Sequence, residues 1–135
     1  MTRSHHFRPM MATLLACAVI SPMAHGATAA ALEAAYTAQA GAPANPARGQ
    51  QLFTARHGRE WSCSSCHGDV PTRAGSHAAT GKPIAPLAPA FNPERLTDEA
   101  KTEKWFRRNC NDVVGRECSA AEKADVISWL RSLKP

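Results

Sequence analysis

Cys63-Ser64-Ser65-Cys66-His67 reads C-x-x-C-H, the attachment signature of c-type haem. Two thiols one helical turn apart can each form a thioether with a haem vinyl, and the adjacent imidazole of His67 is then delivered to the iron as its fifth ligand. Other meanings of the pair fit less well. A redox dithiol sits at a helix start within a βαβ pattern, which this chain lacks, and a zinc site would need a second C-x-x-C. One covalent haem c held by Cys63, Cys66 and His67 is therefore the expectation from which the rest of the chain is read.

The start of the chain sets the compartment. Met1 to Met23 runs from a basic beginning (Arg3, Arg8, no acids) through an apolar stretch, Met10 to Ile20, into Ser21-Pro22 and the small residues around Ala24-His25-Gly26. This is the pattern of a secretory signal peptide, too short in its apolar part to span a bilayer. The expected organisation is a cleaved leader over 1–26 and one domain over 27–135, soluble in the periplasm with no stable membrane insertion. Cys17 lies in the leader, and because Ala18-Val19-Ile20 continues the apolar run beyond it, a lipoprotein anchor is the weaker reading.

Sixteen Lys+Arg stand against 11 Asp+Glu; without Arg3 and Arg8 the balance is 14 − 11 = +3. So small an excess argues against a nucleic-acid binder. The domain has 22 Ala but only six Val plus Ile, which starves a sheet and favours an all-α fold. Four helices are predicted around the haem. The first is Ala29 to Ala40, ended by Gly41. The second, Pro46 to about Arg56, follows an Asn45 cap. A third starts at Thr97-Asp98-Glu99 and continues through Trp105-Phe106 to about Asn109. The last opens on the Ser119/Glu122 capping box and carries Val126, Trp129, Leu130 and Leu133 as an apolar stripe. If the terminal helices cross, Trp129 would nest against Gly49 and Phe53. Between Pro71 and Pro93 five prolines make regular structure unexpected, and Ile84, Leu87 and Phe91 suggest a loop wrapped around a ligand. Arg73 and Lys82 in that loop are candidate partners for the haem propionates.

The other face of the iron is the open question. All four methionines, Met1, Met10, Met11 and Met23, lie in the leader, so the common Met sulfur is missing from residues 27–135. The candidates are His57, His77, the carboxamides of Asn109 and Asn111, or water. Asn109 sits four residues after Trp105, on the same helix face. Next to it is Cys110, for which Cys118 is the only remaining thiol; a disulfide between them would staple the helix end.

These residues together resemble the Sphaeroides haem protein family of small monohaem cytochromes c. The likeness runs through Ala40-Gly41-Ala42-Pro43, Cys63 to Gly68, Thr72-Arg73-Ala74-Gly75, Thr80-Gly81-Lys82, Ile84 to Pro89, Glu103-Lys104-Trp105, Arg108-Asn109-Cys110-Asn111 and Glu122-Lys123-Ala124-Asp125. The most distinctive part is Arg-Asn-Cys-Asn with its downstream cysteine. The resemblance implies a class I cytochrome c fold, an axial asparagine at Asn109 and a disulfide at Cys110 and Cys118. It also implies high-spin haem whose asparagine leaves on reduction, so that small diatomic ligands, oxygen or nitric oxide, bind the ferrous iron. Electron exchange with a redox partner cytochrome, dihaem or membrane-bound, is the implied partnership. Two other readings compete. One is a permanently six-coordinate electron shuttle with a His sixth ligand; the other is an enzyme, a nitric oxide dioxygenase or a peroxidase, for which no distal acid/base pair is evident in the sequence.

Overall fold

The structure, a computed structural model, describes Met1 and residues 27–135. The expected leader, Met1 apart, lies outside the described residues. Five helices and one minimal hairpin follow in order: α1 (Ala29–Ala40), α2 (Pro46–Thr54), α3 (Ser64–His67), β1 (Gly75–Ser76), β2 (Pro83–Ile84), α4 (Glu99–Val113) and α5 (Ala120–Ser132).

Capping chemistry sets most boundaries. Thr28 Oγ1 accepts from Ala31 N, and Gly41, at φ 66°, closes α1. Asn45 Oδ1 accepts from Ala47 N (2.9 Å) and Arg48 N (3.2 Å) ahead of Pro46. At α5, Ser119 Oγ accepts from Glu122 N while Glu122 Oε2 accepts from Ser119 N, the reciprocal pair the sequence predicts. The α4 cap is Asp98, one residue beyond Thr97: its Oδ1 accepts from Lys101 N at 2.8 Å.

α5 is the spine, with α1 and α2 packed against it. Leu32, Tyr36, Ala124 and Ile127 are buried where it meets α1, and Phe53, Val126, Trp129 and Leu130 where it meets α2. Leu96 and Phe106 touch both groups. Trp129 meets Phe53 at 5.0 Å between ring centroids. A Cβ at Gly49 would lie 2.1 Å from the Asp125 carbonyl oxygen, so the glycine serves backbone-to-backbone crossing of α2 over α5. Asp125, 4% exposed, locks that crossing by accepting from Asn45 N, Arg48 Nε (2.7 Å) and Arg48 Nη2 (2.9 Å).

Three boundaries differ from expectation. α2 stops at Thr54, because Ala55 has already turned to extended backbone. α4 runs past Asn109 to Val113; its stop signal is Gly115, at φ 82°, whose N–H donates to Cys110 O. The proline-rich segment does contain ladder pairing, Gly75 with Ile84 and Ser76 with Pro83, two residues per strand. Pro83 is tolerated there because an edge strand does not require its missing donor.

Candidate functional site

The C-x-x-C-H segment forms a single helical turn, α3, with Cys63 at its N-cap. The two intervening serines are structural. Buried Ser62 bonds through Oγ to Ser64 Oγ (2.8 Å) and Ser65 Oγ (3.1 Å), and its N–H donates to Ser65 Oγ (3.0 Å). This knot fixes the turn that presents both sulfurs. Cys63 and Cys66 are free thiols, and Cys63 packs against the Phe53–Trp129 group.

The hairpin lies directly on this turn. A Cβ on Gly75 would fall 2.0 Å from the Cys66 carbonyl oxygen and 3.0 Å from His67 Cα, so only glycine permits the approach. Ala78 N–H points at Cys66 Sγ, 3.2 Å away. Beyond the hairpin, Leu87 N and Ala88 N both donate to Pro71 O, and Arg95 donates from Nε to Pro86 O (2.9 Å) and from Nη2 to Ala85 O (3.0 Å). The long segment is thus fastened round α3, as a ligand-wrapping loop would be.

Electrostatics suit the donors. Burial, with the Arg95 cation adding to it, pushes the His67 imidazole down to about 4, so at neutral pH it is uncharged and has a lone pair to give. Burial raises the Cys63 thiol to about 11, which keeps it from ionising as a solvent thiolate. Phe53 lies beside His67, 6.1 Å between ring centroids with the rings tilted by 45°.

A hollow of about 530 Å³ opens beside α3, lined by Cys66, His67, Val70, Arg73 and Gly75 among others. It brings three of the expected residues together, Cys66, His67 and Arg73, and Cys63 does not line it. Lys82 is exposed in the turn between the hairpin strands and does not line it. No α4 residue lines it either. Trp105, 42% exposed, and exposed Asn109 lie one turn apart on α4, with the Arg108 guanidinium 5.6 Å from the Trp105 ring. α4 is held to the core through side chains: Phe106 edge-on to Tyr36 (6.1 Å), Glu103 to Tyr36 and Lys123, and the disulfide from Cys110 to Cys118 (Cα–Cα 5.6 Å).

Residues 39–130 match the family described as a domain of unknown function (DUF1924). The cytochrome c-type protein SHP of Cereibacter sphaeroides is 49% identical over 122 residues, spanning 87% of this chain and 94% of that protein. The chain belongs to the Sphaeroides haem protein family of c-type cytochromes. The structure of oxidized SHP, described as an oxygen binding cytochrome c, overlays this cytochrome with a TM-score of 0.76 at 49% identity, covering 80% of this chain and 99% of that one. Oxidized cytochrome c'' from Methylophilus methylotrophus overlays with a TM-score of 0.70 at 36% identity, covering 79% and 95%. The fold is accordingly that of a small all-α cytochrome c, and the prosthetic group of this cytochrome is one haem c. Two free thiols three residues apart can bond the haem vinyls, and the neutral imidazole beside them is the iron donor such a group requires.

Several functional residues are silent in the sequence. Ser62, Gly75, Ala78 and Arg95 each fix the α3 turn or the segment around it. Of these, only Gly75 carries a signal, as part of the Thr72-Arg73-Ala74-Gly75 segment of the family likeness.

Proposed function

We propose that this cytochrome is an exported, periplasmic one-electron carrier that binds oxygen or nitric oxide when reduced. In this reading Cys63 and Cys66 hold the haem through thioethers, His67 is the proximal ligand and Asn109 a displaceable distal one. The haem supplies the redox-active iron. The chain's own residues decide what that iron can hold.

The observation that carries the proposal is that residues 27–135 contain no methionine, so no thioether sulfur can cap the distal side permanently. Each of the two described histidines that could replace it has one ring nitrogen in a local hydrogen bond. His57 Nε2 is hydrogen-bonded to Leu52 O at 2.9 Å, and His77 sits in the hairpin turn with Nδ1 accepting from Ala79 N (3.3 Å) and its own backbone N–H donating to Lys82 O. Of the two asparagines, Asn111 donates from Nδ2 to Arg107 O at 2.7 Å, while Asn109 lies exposed beside Trp105. Asn109 offers a neutral, hard amide oxygen, which suits ferric better than ferrous iron. Its carboxamide should therefore leave on reduction and vacate a position for a diatomic gas. The oxygen binding described for the SHP structure supports the same reading.

The disulfide at Cys110, next to Asn109, anchors the helix end while the carboxamide changes partner. Arg73 beside the hollow would balance propionate charge, with Lys82 in the exposed hairpin turn as the second cation. Trp105 would shield the position Asn109 vacates. Electrons would arrive from a cytochrome partner. The test is carbon monoxide added to the dithionite-reduced holoprotein: a shifted Soret band is expected, and an unchanged spectrum would contradict an openable distal site.

A further inference from the structure

Protein side chains hold α4 at few points. Among the described residues no other helix packs closely along it, and of its 15 residues only Thr102 and Cys110 are buried by the chain, where α5 buries six of 13. Two anchors carry most of the attachment. Near the C-terminal end the disulfide ties Cys110 to Cys118. Nearly two turns earlier Glu103 reaches α5 and α1 at once. Lys123 Nζ donates to both of its carboxylate oxygens, at 2.7 and 2.8 Å, and the Tyr36 hydroxyl donates to Oε2 at 2.7 Å. Lys123 also lies 5.4 Å from the centre of the Tyr36 ring, and Phe106 packs edge-on to that ring. Tyr36 is buried and the Lys123 side chain is 12% exposed, so half-buried Glu103 is gripped from the inner side. The Lys123 hydrogen bond, opposed by burial and helped by Tyr36, holds the Glu103 carboxyl below the usual carboxylate range and keeps the bridge charged.

Glu103 and Cys110 are seven residues apart, so both anchors lie on one stripe of α4, and Asn109 sits about 100° round the helix from Cys110. A helix fixed at two points on one stripe can neither roll nor tilt. Fixed by the disulfide alone it can do both, with Cys110 as the pivot: rolling swings Asn109 aside, and tilting displaces Trp105. The anchor at Cys110 is covalent, whereas the one at Glu103 consists of charge-assisted hydrogen bonds whose number sets its strength. We propose that Glu103, gripped by Tyr36 and Lys123, is a positioning residue for the distal side, fixing the roll and tilt of α4 and thereby how firmly Asn109 caps ferric iron against an incoming ligand. This rests on the distal role of Asn109 given above and names what regulates it. The competing role is an ion pair that contributes to folding alone.

Imidazole, uncharged at about pH 8, is titrated into the ferric holoprotein and followed through the Soret band. As it binds, its nitrogen bonds the iron and the bond from the Asn109 oxygen breaks, with no electron or proton exchanged. Apparent affinity is the intrinsic one scaled by the uncapped fraction, so a looser cap reads as tighter imidazole binding. Glu103→Ala should bind imidazole about tenfold more tightly than wild type. Thr28→Ala, which removes the α1 cap and so tests lost stability by itself, should change the affinity by less than about twofold. Asn109→Ala should tighten binding at least as much as Glu103→Ala, and adding Glu103→Ala to it should then change the affinity by less than about twofold, because no cap is left to position. If Glu103→Ala fails to fold, Tyr36→Phe keeps the ring and removes one bond of the bridge, with about threefold tighter binding expected and the gain again lost without Asn109. An affinity unchanged by Glu103→Ala, or raised equally by Glu103→Ala and Thr28→Ala, would overturn the positioning role, and Asn109 would stand as the cap if its own substitution still tightens binding. A Glu103→Ala effect that persists undiminished in the Asn109→Ala background would also overturn it. An Asn109→Ala protein that binds imidazole as wild type does would instead count against Asn109 as the cap, and would remove with it what Glu103 positions.

Discussion

Gly75 has nowhere to put a side chain, because Cys66 O occupies the space a Cβ would take. Gly75→Ala should push the hairpin off α3 and lower holoprotein stability by about 1–3 kcal/mol, read as a shift in the guanidinium midpoint. An unchanged midpoint would mean the hairpin is not braced on the motif. Asp125 is equally constrained, since its buried carboxylate accepts three hydrogen bonds that tie α2 to α5. Truncating it to Ala strands Asn45 N–H, at a cost of about 2 kcal/mol in chemical denaturation. Glu122 gives the pH prediction. The Arg116 guanidinium, opposed by burial and helped by Ser119, holds its carboxyl down at about 2 against an ordinary value of 4.5. A depressed carboxylate contributes stability that is present above its unfolded value and lost as pH falls, here between about 4.5 and about 2. Glu122→Gln should flatten the stability–pH curve across that window and leave it unchanged in shape above it. The sequence marks Ser119 as the cap for Glu122 but not Arg116 as its ion partner, six positions away. It is silent on the other two pairs as well, Cys66 with Gly75 and Asn45 with Asp125, the latter 80 positions apart.

At the scale of elements, legibility follows locality. α1 and α5 were readable at their capped ends because the caps are neighbours in the chain: Gly41 ends one, and Ser119 with Glu122 starts the other. The end of α4 is not legible locally, because asparagine is a helix-stopping residue in general, whereas here Gly115 supplies the left-handed turn. The two-residue hairpin was illegible for the opposite reason. Its pairing is set by Gly75 docking on α3, a tertiary contact that overrides the proline content. The close crossing of α2 and α5 is likewise tertiary. Gly49→Ala should cost about 1–3 kcal/mol in thermal or chemical unfolding, since its Cβ would meet Asp125 O at 2.1 Å. A neutral substitution would show that the crossing can widen freely.

For the whole molecule, the described core is two small side-chain groups on either side of α5, and α4 joins them mainly through Phe106, Glu103 and the disulfide. Such a domain relies on its prosthetic group for burial, in keeping with its Ala-rich composition. The haem-anchoring turn was legible because Cys63, Cys66 and His67 fall within one contiguous pentapeptide. On residue chemistry alone the distal side is legible only as a set of candidates, because Asn109 is 42 residues from His67; the Arg108-Asn109-Cys110-Asn111 likeness is what singles it out. The most direct measurement is a pair of ferric and ferrous absorption spectra for wild type and Asn109→Ala. With Asn109 as the displaceable ligand, the ferric spectra should differ and the ferrous spectra coincide. Identical ferric spectra would contradict that assignment.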